Sequence, residues 1–306
     1  MPSENLWKKE YGKSLASLHL AVMLFGLSSV LGQFADAPAV LVAGGRVICS
    51  GIVLLVLSLV AKSSLKLHSG KDYAIALCAG VVLAIHWTTF FQSIQSSSVA
   101  IGTITFSTFP LFLTFLEPLV FREKIHVRAV VSAVVLLLGV AITIPEFSLE
   151  NQTTVGVLWG MVSSLAYGVL SLANRHLSQE YPARTVCLYE QGTAAVVLLP
   201  AFFLVEVQWT ASTVLSIVTI GVVCTALAHS LYVSAQRKVR AQTAGIISGM
   251  ETVYGIVYAM LLLGEFPTLR ELVGGVVILG TALVSSLYSA RETLKETSGK
   301  RAERER

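Results

Sequence analysis

Arg46, Glu117, Glu190 and Glu251 each interrupt a long apolar stretch, in a chain whose residues are 54% hydrophobic and only 13% charged. His86 and His229 lie in similar surroundings. A charge at the centre of a bilayer costs about 2.5–3.5 kcal/mol on insertion scales, so each needs a partner or a water-filled path. Carboxyl groups so placed can take up a proton or hold an ammonium group. A guanidinium can hold a carboxylate, and a histidine can switch charge near neutral pH. A histidine among apolar residues more often fills a packing role, and both readings stay open for His86 and His229. Trp87 is a candidate as the neighbour of His86.

Glu251 lies about nine residues into its stretch, hence near mid-depth at about 1.5 Å per residue. On a helix, Ser248, Tyr254, Gly255 and Tyr258 share its face. The counterparts of Ser248, Glu251, Tyr254 and Tyr258, 142 residues earlier, are Phe106, Phe109, Phe112 and Leu116. One wall of a passage would then carry a carboxylate with two phenols, and the other would be largely aromatic, unless the Phe stripe faces lipid or core. Arg46 and Glu190 are equivalent at a shift of 144. They are expected about 10 Å apart along the membrane normal, too far for an ion pair. Each would serve a gate on its own side, or Arg46 would meet His86; the alternative is local snorkelling. Glu117 is expected to pair at the interface with Arg122 or Lys124. Pro110 and Pro118 are expected to kink or interrupt their helix, freeing carbonyls that a cavity tolerates.

The elements that must position these groups are ten apolar stretches: 15–34, 39–61, 73–95, 98–121, 128–145, 154–175, 184–206, 212–236, 242–263 and 270–289. With a mean hydropathy of +0.74, the chain falls outside soluble composition, and each stretch approaches the 20 or so apolar residues that span a bilayer. The second half repeats the first. Phe25-Gly26 matches Tyr167-Gly168, Ser29 matches Ser171, Phe90 matches Tyr232, and Glu123 with Arg128 matches Glu265 with Arg270, all at 142. Leu138-Gly139 matches Leu279-Gly280 after a one-residue slip, and Pro38 matches Pro182 at 144.

With the N-terminus in the cytoplasm, 20 of the 22 Lys and Arg fall in cytoplasmic segments. The positive-inside rule therefore predicts both termini inside. Five stretches per half invert the second copy, and uncharged Ser96-Ser97-Ser98 is matched by basic Lys238-Val239-Arg240. The expected fold is an all-α integral membrane protein of ten transmembrane helices as two inverted-topology five-helix repeats. The repeats are residues 15–149 and 150–289, with cytoplasmic tails 1–14 and 290–306. The first stretch, although preceded by Lys8, Lys9 and Lys13, is read as a span rather than a signal peptide, because its counterpart is internal. Four single cysteines carry no paired spacing, so neither a metal nor a disulfide framework is expected. Gly156/Gly160 and Gly245/Gly249 have the spacing of close helix contacts.

The stretches Phe109-Pro110 to Arg122-Glu123 with Gly139, and Met250-Glu251-Thr252-Val253 to Gly264-Glu265 with Gly280, resemble the drug/metabolite transporter superfamily. The type resembled is the one built from two EamA domains. Phe25-Gly26 and Arg46 sit where such proteins commonly have an aromatic-Gly pair and an Arg. Thr252 stands where the family often has proline. The resemblance implies export of small metabolites, often amino acids or other amphipathic solutes, by facilitated diffusion or proton exchange.

The function expected is export or exchange of a small zwitterionic or cationic metabolite by alternating access at an inner membrane. Carboxylates outnumber cations at depth, which serves a nucleotide sugar poorly, although a nucleotide-sugar antiporter is the nearest alternative. An intramembrane enzyme or a non-transporting subunit is the alternative of another class, and no metal-binding or nucleophile motif supports an enzyme. The partners expected are a small solute, protons as a candidate coupling ion, and the lipid bilayer, with no cofactor and no nucleic acid, in a monomer or homodimer.

Overall fold

The computed structural model describes residues 2–121, 127–236 and 247–304. Arg122, Glu123, Lys124, Lys238, Arg240 and Gly245, named above, lie outside the described residues. Every described element is helical. The first half comprises α1 (Pro2–Phe34), α2 (Ala39–Val60), α3 (Gly70–Ser96), α4 (Val99–Phe106), α5 (Phe109–Phe121) and α6 (Val127–Thr143). There follow α7 (Gln152–Glu180), α8 (Ala183–Leu198), α9 (Ala201–Leu204) and α10 (Ala211–Gly221), a π-helical turn (Val222–Leu227) and α11 (Ala228–Gln236). The chain ends with α12 (Met250–Tyr258), a second π-helical turn (Ala259–Leu263) and α13 (Leu269–Arg304).

The helix starts follow from local chemistry. Ser69, Ser98, Asn151 and Thr210 are N-caps whose side-chain oxygens accept backbone N–H groups of the first turn. Pro38 and Pro182, equivalent in sequence, open α2 and α8 with φ of −51° and −59°, close to the value the ring fixes.

Seven helices among the described residues are long and apolar enough to cross a membrane, against the ten that the sequence predicts. Val130–Thr143 and Met250–Leu263 are shorter apolar helices, and α13 carries the tenth predicted stretch in its first half. Leu59, Val60, Leu119, Phe203 and Leu204 are each more than 60% exposed. Surface of that kind suits contact with lipid. The chain is an all-α, multi-pass membrane protein.

Because lipid is as apolar as leucine, helices in a bilayer associate through close packing at small residues. α7 lies along α3, α4 and α5; α1 lies along α10, α11 and α12; α2 meets α8, and α6 meets α13. Glycines mark the closest approaches. A Cβ on Gly26 would come 2.9 Å from the Gly255 nitrogen and 3.0 Å from Tyr254 Cβ. A Cβ on Gly168, which is 142 residues later, would come 3.3 Å from Phe112 Cβ and 4.0 Å from the Leu113 nitrogen, the residues 142 before Tyr254 and Gly255. Gly160 is pressed against Thr105, 2.8 Å from where its Cβ would be.

One end of the bundle is tied together. Gln33 Nε2 donates to the Ile94 carbonyl at 3.1 Å, Gln95 Nε2 to Ala37 at 2.9 Å, and Ser212 Oγ to Phe34 at 3.1 Å. Glu265 Oε2 accepts the Val99 N–H at 3.2 Å, and Ser98 Oγ donates to Glu271 at 3.3 Å, both at the start of α4. Glu265 reaches that helix end because Gly264, at φ 69°, takes the left-handed conformation and turns the chain. At the other end Glu117 pairs with Arg175 Nη1 at 3.0 Å. That pair crosses from α5 to α7, whereas Arg122 and Lys124, the partners expected from sequence, lie outside the described residues.

Candidate functional site: a central cavity

α4 stops at Phe106 and α5 starts at Phe109, with a turn at Ser107–Thr108. The cause is Pro110, which has no N–H to donate to the Phe106 carbonyl one turn back. That carbonyl instead accepts Ser164 Oγ from α7 at 3.0 Å. In the second half the chain is helical at 247–248, turns at Gly249 and resumes as α12. Ser107 and Gly249 are 142 residues apart, so the helix is interrupted at the same place in each half. Thr252 ties the two breaks together, pairing with Ser107 Oγ at 2.7 Å and donating to the Thr103 carbonyl at 3.2 Å.

Between these breaks lies a cavity of about 700 Å³. Its wall includes Arg46, Glu190, Glu251, His86, His229, Trp87, Phe109 and Ser248. Phe106, Tyr167, Ser171, Asn174 and Gln191 also line it. It extends along α7 to Arg175 and Ser178 and reaches Ala183 at the start of α8, away from the tied end.

Arg46 is held from three sides. Its Nε donates to Thr225 Oγ1 at 2.8 Å, its Nη1 donates to Ser28 Oγ at 3.2 Å, and its guanidinium carbon lies 3.9 Å above the Trp87 ring. A planar cation on an aromatic face is a strong arrangement when water is excluded, and Arg46 is only 5% exposed. Thr225 belongs to the first π-helical turn and donates its own hydroxyl to the Ile220 carbonyl, five residues back, at 2.8 Å. The widened turn is what directs Thr225 at Arg46. Glu251 is within electrostatic reach of Arg46, but no direct ion pair joins them among the described residues.

Aromatic rings form a further part of the wall. Tyr167 meets Phe106 and Phe109 edge-on, with centroids 5.1 and 5.0 Å apart, and His86 lies 5.2 Å from both Tyr167 and Phe106. His86 Nδ1 donates to the Ser163 carbonyl at 3.0 Å, and Ser163 Oγ donates back to the His86 carbonyl at 3.0 Å. The ring is thus locked by α7, and Nε2 is left as an acceptor. Arg46 stacks on Trp87 and not on His86, the partner that sequence offered. His229 packs 5.2 Å from Phe25, and Ser248 Oγ pairs with Tyr232 at 2.8 Å.

Three of the residues singled out from sequence lie elsewhere. Tyr254 packs among Leu18 and Val22 of α1, with its hydroxyl 3.3 Å from His19 Nδ1. Tyr258 packs beside the buried cluster that includes Val30 and Phe91, and Phe112 packs against Gly168. Conversely, Thr225, Ser28, Tyr167 and Asn174 were not singled out. Tyr167, Ser171, Asn174 and Ser178 follow helical spacing along one face of α7, and that polar stripe was the available signal.

The EamA-like transporter family profile matches residues 13–144 and again residues 154–287. The chain belongs to the EamA-like transporter family. It is therefore a secondary transporter that moves a small solute across a membrane, not an enzyme. The uncharacterised transporter YxxF of Bacillus subtilis is 22% identical over 280 residues, covering 88% of each chain. The uncharacterised inner membrane transporter YicL of Salmonella typhimurium is 22% identical, over 91% of this chain and 97% of its own. An uncharacterised transporter of Helicobacter pylori is 27% identical over 71% of this chain and 74% of its own. A crystal structure of a protein superposes with a TM-score of 0.64 over 92% of this chain and 98% of its own, at 16% identity; that likeness concerns fold alone.

Proposed function

We propose that this EamA-like transporter moves a small zwitterionic or cationic metabolite by alternating access, through ten helices arranged as two inverted five-helix repeats. Residues 15–149 and 150–289 are the repeats, flanked by tails 1–14 and 290–306. The matched glycine contacts at Gly26 and Gly168, the matched breaks at Ser107 and Gly249, and the twice-matching family profile support the repeat. Discontinuous helices at corresponding positions of two halves commonly mark the solute site.

The observation that carries the reading is the cavity itself, tied shut at one end and reaching bulk along α7 at the other. Arg46 is the positive pole, suited to a carboxylate, and Glu251 is the negative pole, suited to an ammonium group or a proton. Phe106, Phe109 and Tyr167 suit an apolar or aromatic portion. A nucleotide sugar would bring several negative charges to one deeply buried guanidinium in a cavity that also carries two carboxyl groups, which is unfavourable. The distribution of Lys and Arg supports both termini in the cytoplasm, and likeness to an inner membrane transporter supports that membrane as location; the open end is then cytoplasmic. Cysteines substituted for Glu150 and Glu296 should then label from opposite sides.

The function is tested in proteoliposomes by a counterflow screen of amino acids, amines and nucleosides, with and without a pH gradient. Amino acids or amines are expected to exchange. Exchange of nucleosides alone would overturn the solute class, and undiminished, still pH-dependent exchange by Glu251→Gln would remove Glu251 from the mechanism.

A further inference from the structure

Glu190 is 5% exposed and lines the cavity. Its Oε1 has no hydrogen-bond partner, and no Lys or Arg among the described residues forms an ion pair with it. The polar side chain facing its carboxyl is Asn174 on α7, whose sole donor is the amide nitrogen. Asn174 Oδ1 is likewise buried without a partner. Two adjacent side chains therefore leave two acceptor oxygens unmet. An ionised carboxylate offers no donor, whereas a carboxylic acid offers one. A single proton on Oε1, donated to Asn174 Oδ1, would close the amide and the acid into a two-bond ring and satisfy both oxygens.

We infer that Glu190, positioned by Asn174, is a proton-binding site separate from the solute site at Arg46 and Glu251. The inference rests on the transport reading only for its purpose, since the site is defined by the two unmet oxygens. Protonation forms an O–H bond at Oε1. Release breaks it and passes the proton to water in the cavity, which reaches bulk past Arg175 and Ser178. The carboxylate left behind has only acceptors to offer Asn174 Oδ1. The groups that share its surroundings are Arg46 on α2, His86 on α3, Tyr167 and Arg175 on α7, and Cys187 on its own helix. A proton suits the place better than a metal ion, because one bond satisfies the pair, while an alkali ion would want several more oxygens.

Infrared difference spectroscopy of the full-length protein in nanodiscs tests this in the absence of any solute. A protonated-carboxyl band is expected at neutral pH that is lost in Glu190→Gln, retained in Glu251→Gln, and moved to higher frequency in Asn174→Leu, where the acid loses its acceptor. Asn174→Leu keeps Glu190 itself, so the test survives a misfolded Glu190→Gln. A band unchanged in both the Glu190 and Asn174 variants would overturn the inference, as would radioactive-sodium binding to the wild type that Glu190→Gln abolishes. Failure of the counterflow screen would leave the band untouched, so the two readings fail separately.

Discussion

Arg46 and Glu190 occupy matching helix crossings: a Cβ on Gly221 would lie 2.9 Å from the Arg46 carbonyl oxygen, and one on Gly80 would lie 2.7 Å from that of Glu190. In each half the second helix therefore brings one ionisable side chain to the cavity at a point pinned by a glycine of its neighbour. One half delivers a cation and the other an acid.

The Arg46 site depends on shape as well as charge. Lysine in its place cannot stack a planar group on Trp87 or reproduce the fork to Thr225 and Ser28. Loss of the stacked cation is expected to weaken apparent affinity for a carboxylate-bearing solute by about 5- to 30-fold, equivalent to about 1–2 kcal/mol. Half-saturation of counterflow in Arg46→Lys measures this, and an amide analogue of the same solute should lose less.

Thr225→Val keeps the volume of the side chain and removes its oxygen. Arg46 Nε would then be a buried donor without its acceptor, at a cost of about 1–3 kcal/mol. Thermal unfolding of the purified variant should show the loss. Ser234→Ala, whose hydroxyl is exposed and among the described residues bonds the Leu231 carbonyl alone, should leave stability near wild type.

Gly26 and Gly168 lie 142 residues apart in matching sequence and differ in how tightly they are held. The Cβ of Gly26→Ala would meet backbone at 2.9 and 3.0 Å, whereas that of Gly168→Ala would meet side-chain carbons at 3.3 and 3.4 Å. Overpacking costs about 1–3 kcal/mol when neighbours cannot move. The Gly26 variant should therefore be clearly less stable in detergent and the Gly168 variant only slightly so; equal losses would contradict the geometry.

Glu265 and Glu271 tie the closed end to the first turn of α4. A carboxylate at a helix N-terminus is worth about 0.3–1 kcal/mol, so Glu265→Gln should raise the share of molecules open at that end by up to about 5-fold. Labelling of a cysteine at Phe106 by a reagent added on the Glu265 side should accelerate accordingly. Unchanged labelling would show that Gln33, Gln95 and Ser212 hold the end without it.

Much of the site was legible because charge is conspicuous in apolar sequence: Arg46, Glu190 and Glu251 stand out unaided, and all three line the cavity. Pro110 marked the break between α4 and α5 for a reason of covalent geometry. Tyr254, Tyr258 and Phe112 were misplaced because shared helical spacing says nothing of depth or of a modest rotation. Tyr254 and Phe112, three residues from Glu251 and Phe109, turn about 60° away onto the neighbouring helix, and Tyr258 is two turns farther along, in the packed end. Thr225 was invisible because a threonine in an apolar run ordinarily bonds its own helix, as Thr225 does at the Ile220 carbonyl, and the lone pair it offers Arg46 leaves no mark in the sequence.

That turn also marks where the spacing of the two halves differs. From Gly80 to Phe90 the first half of the chain advances ten residues, while from Gly221 to Tyr232 the second advances eleven. The π-helical turn lies inside the longer interval and absorbs the surplus residue without displacing the helix beyond it. One extra amino acid, carried within an unbroken helix, thus sits in the turn from which the second half lends an oxygen to the arginine of the first.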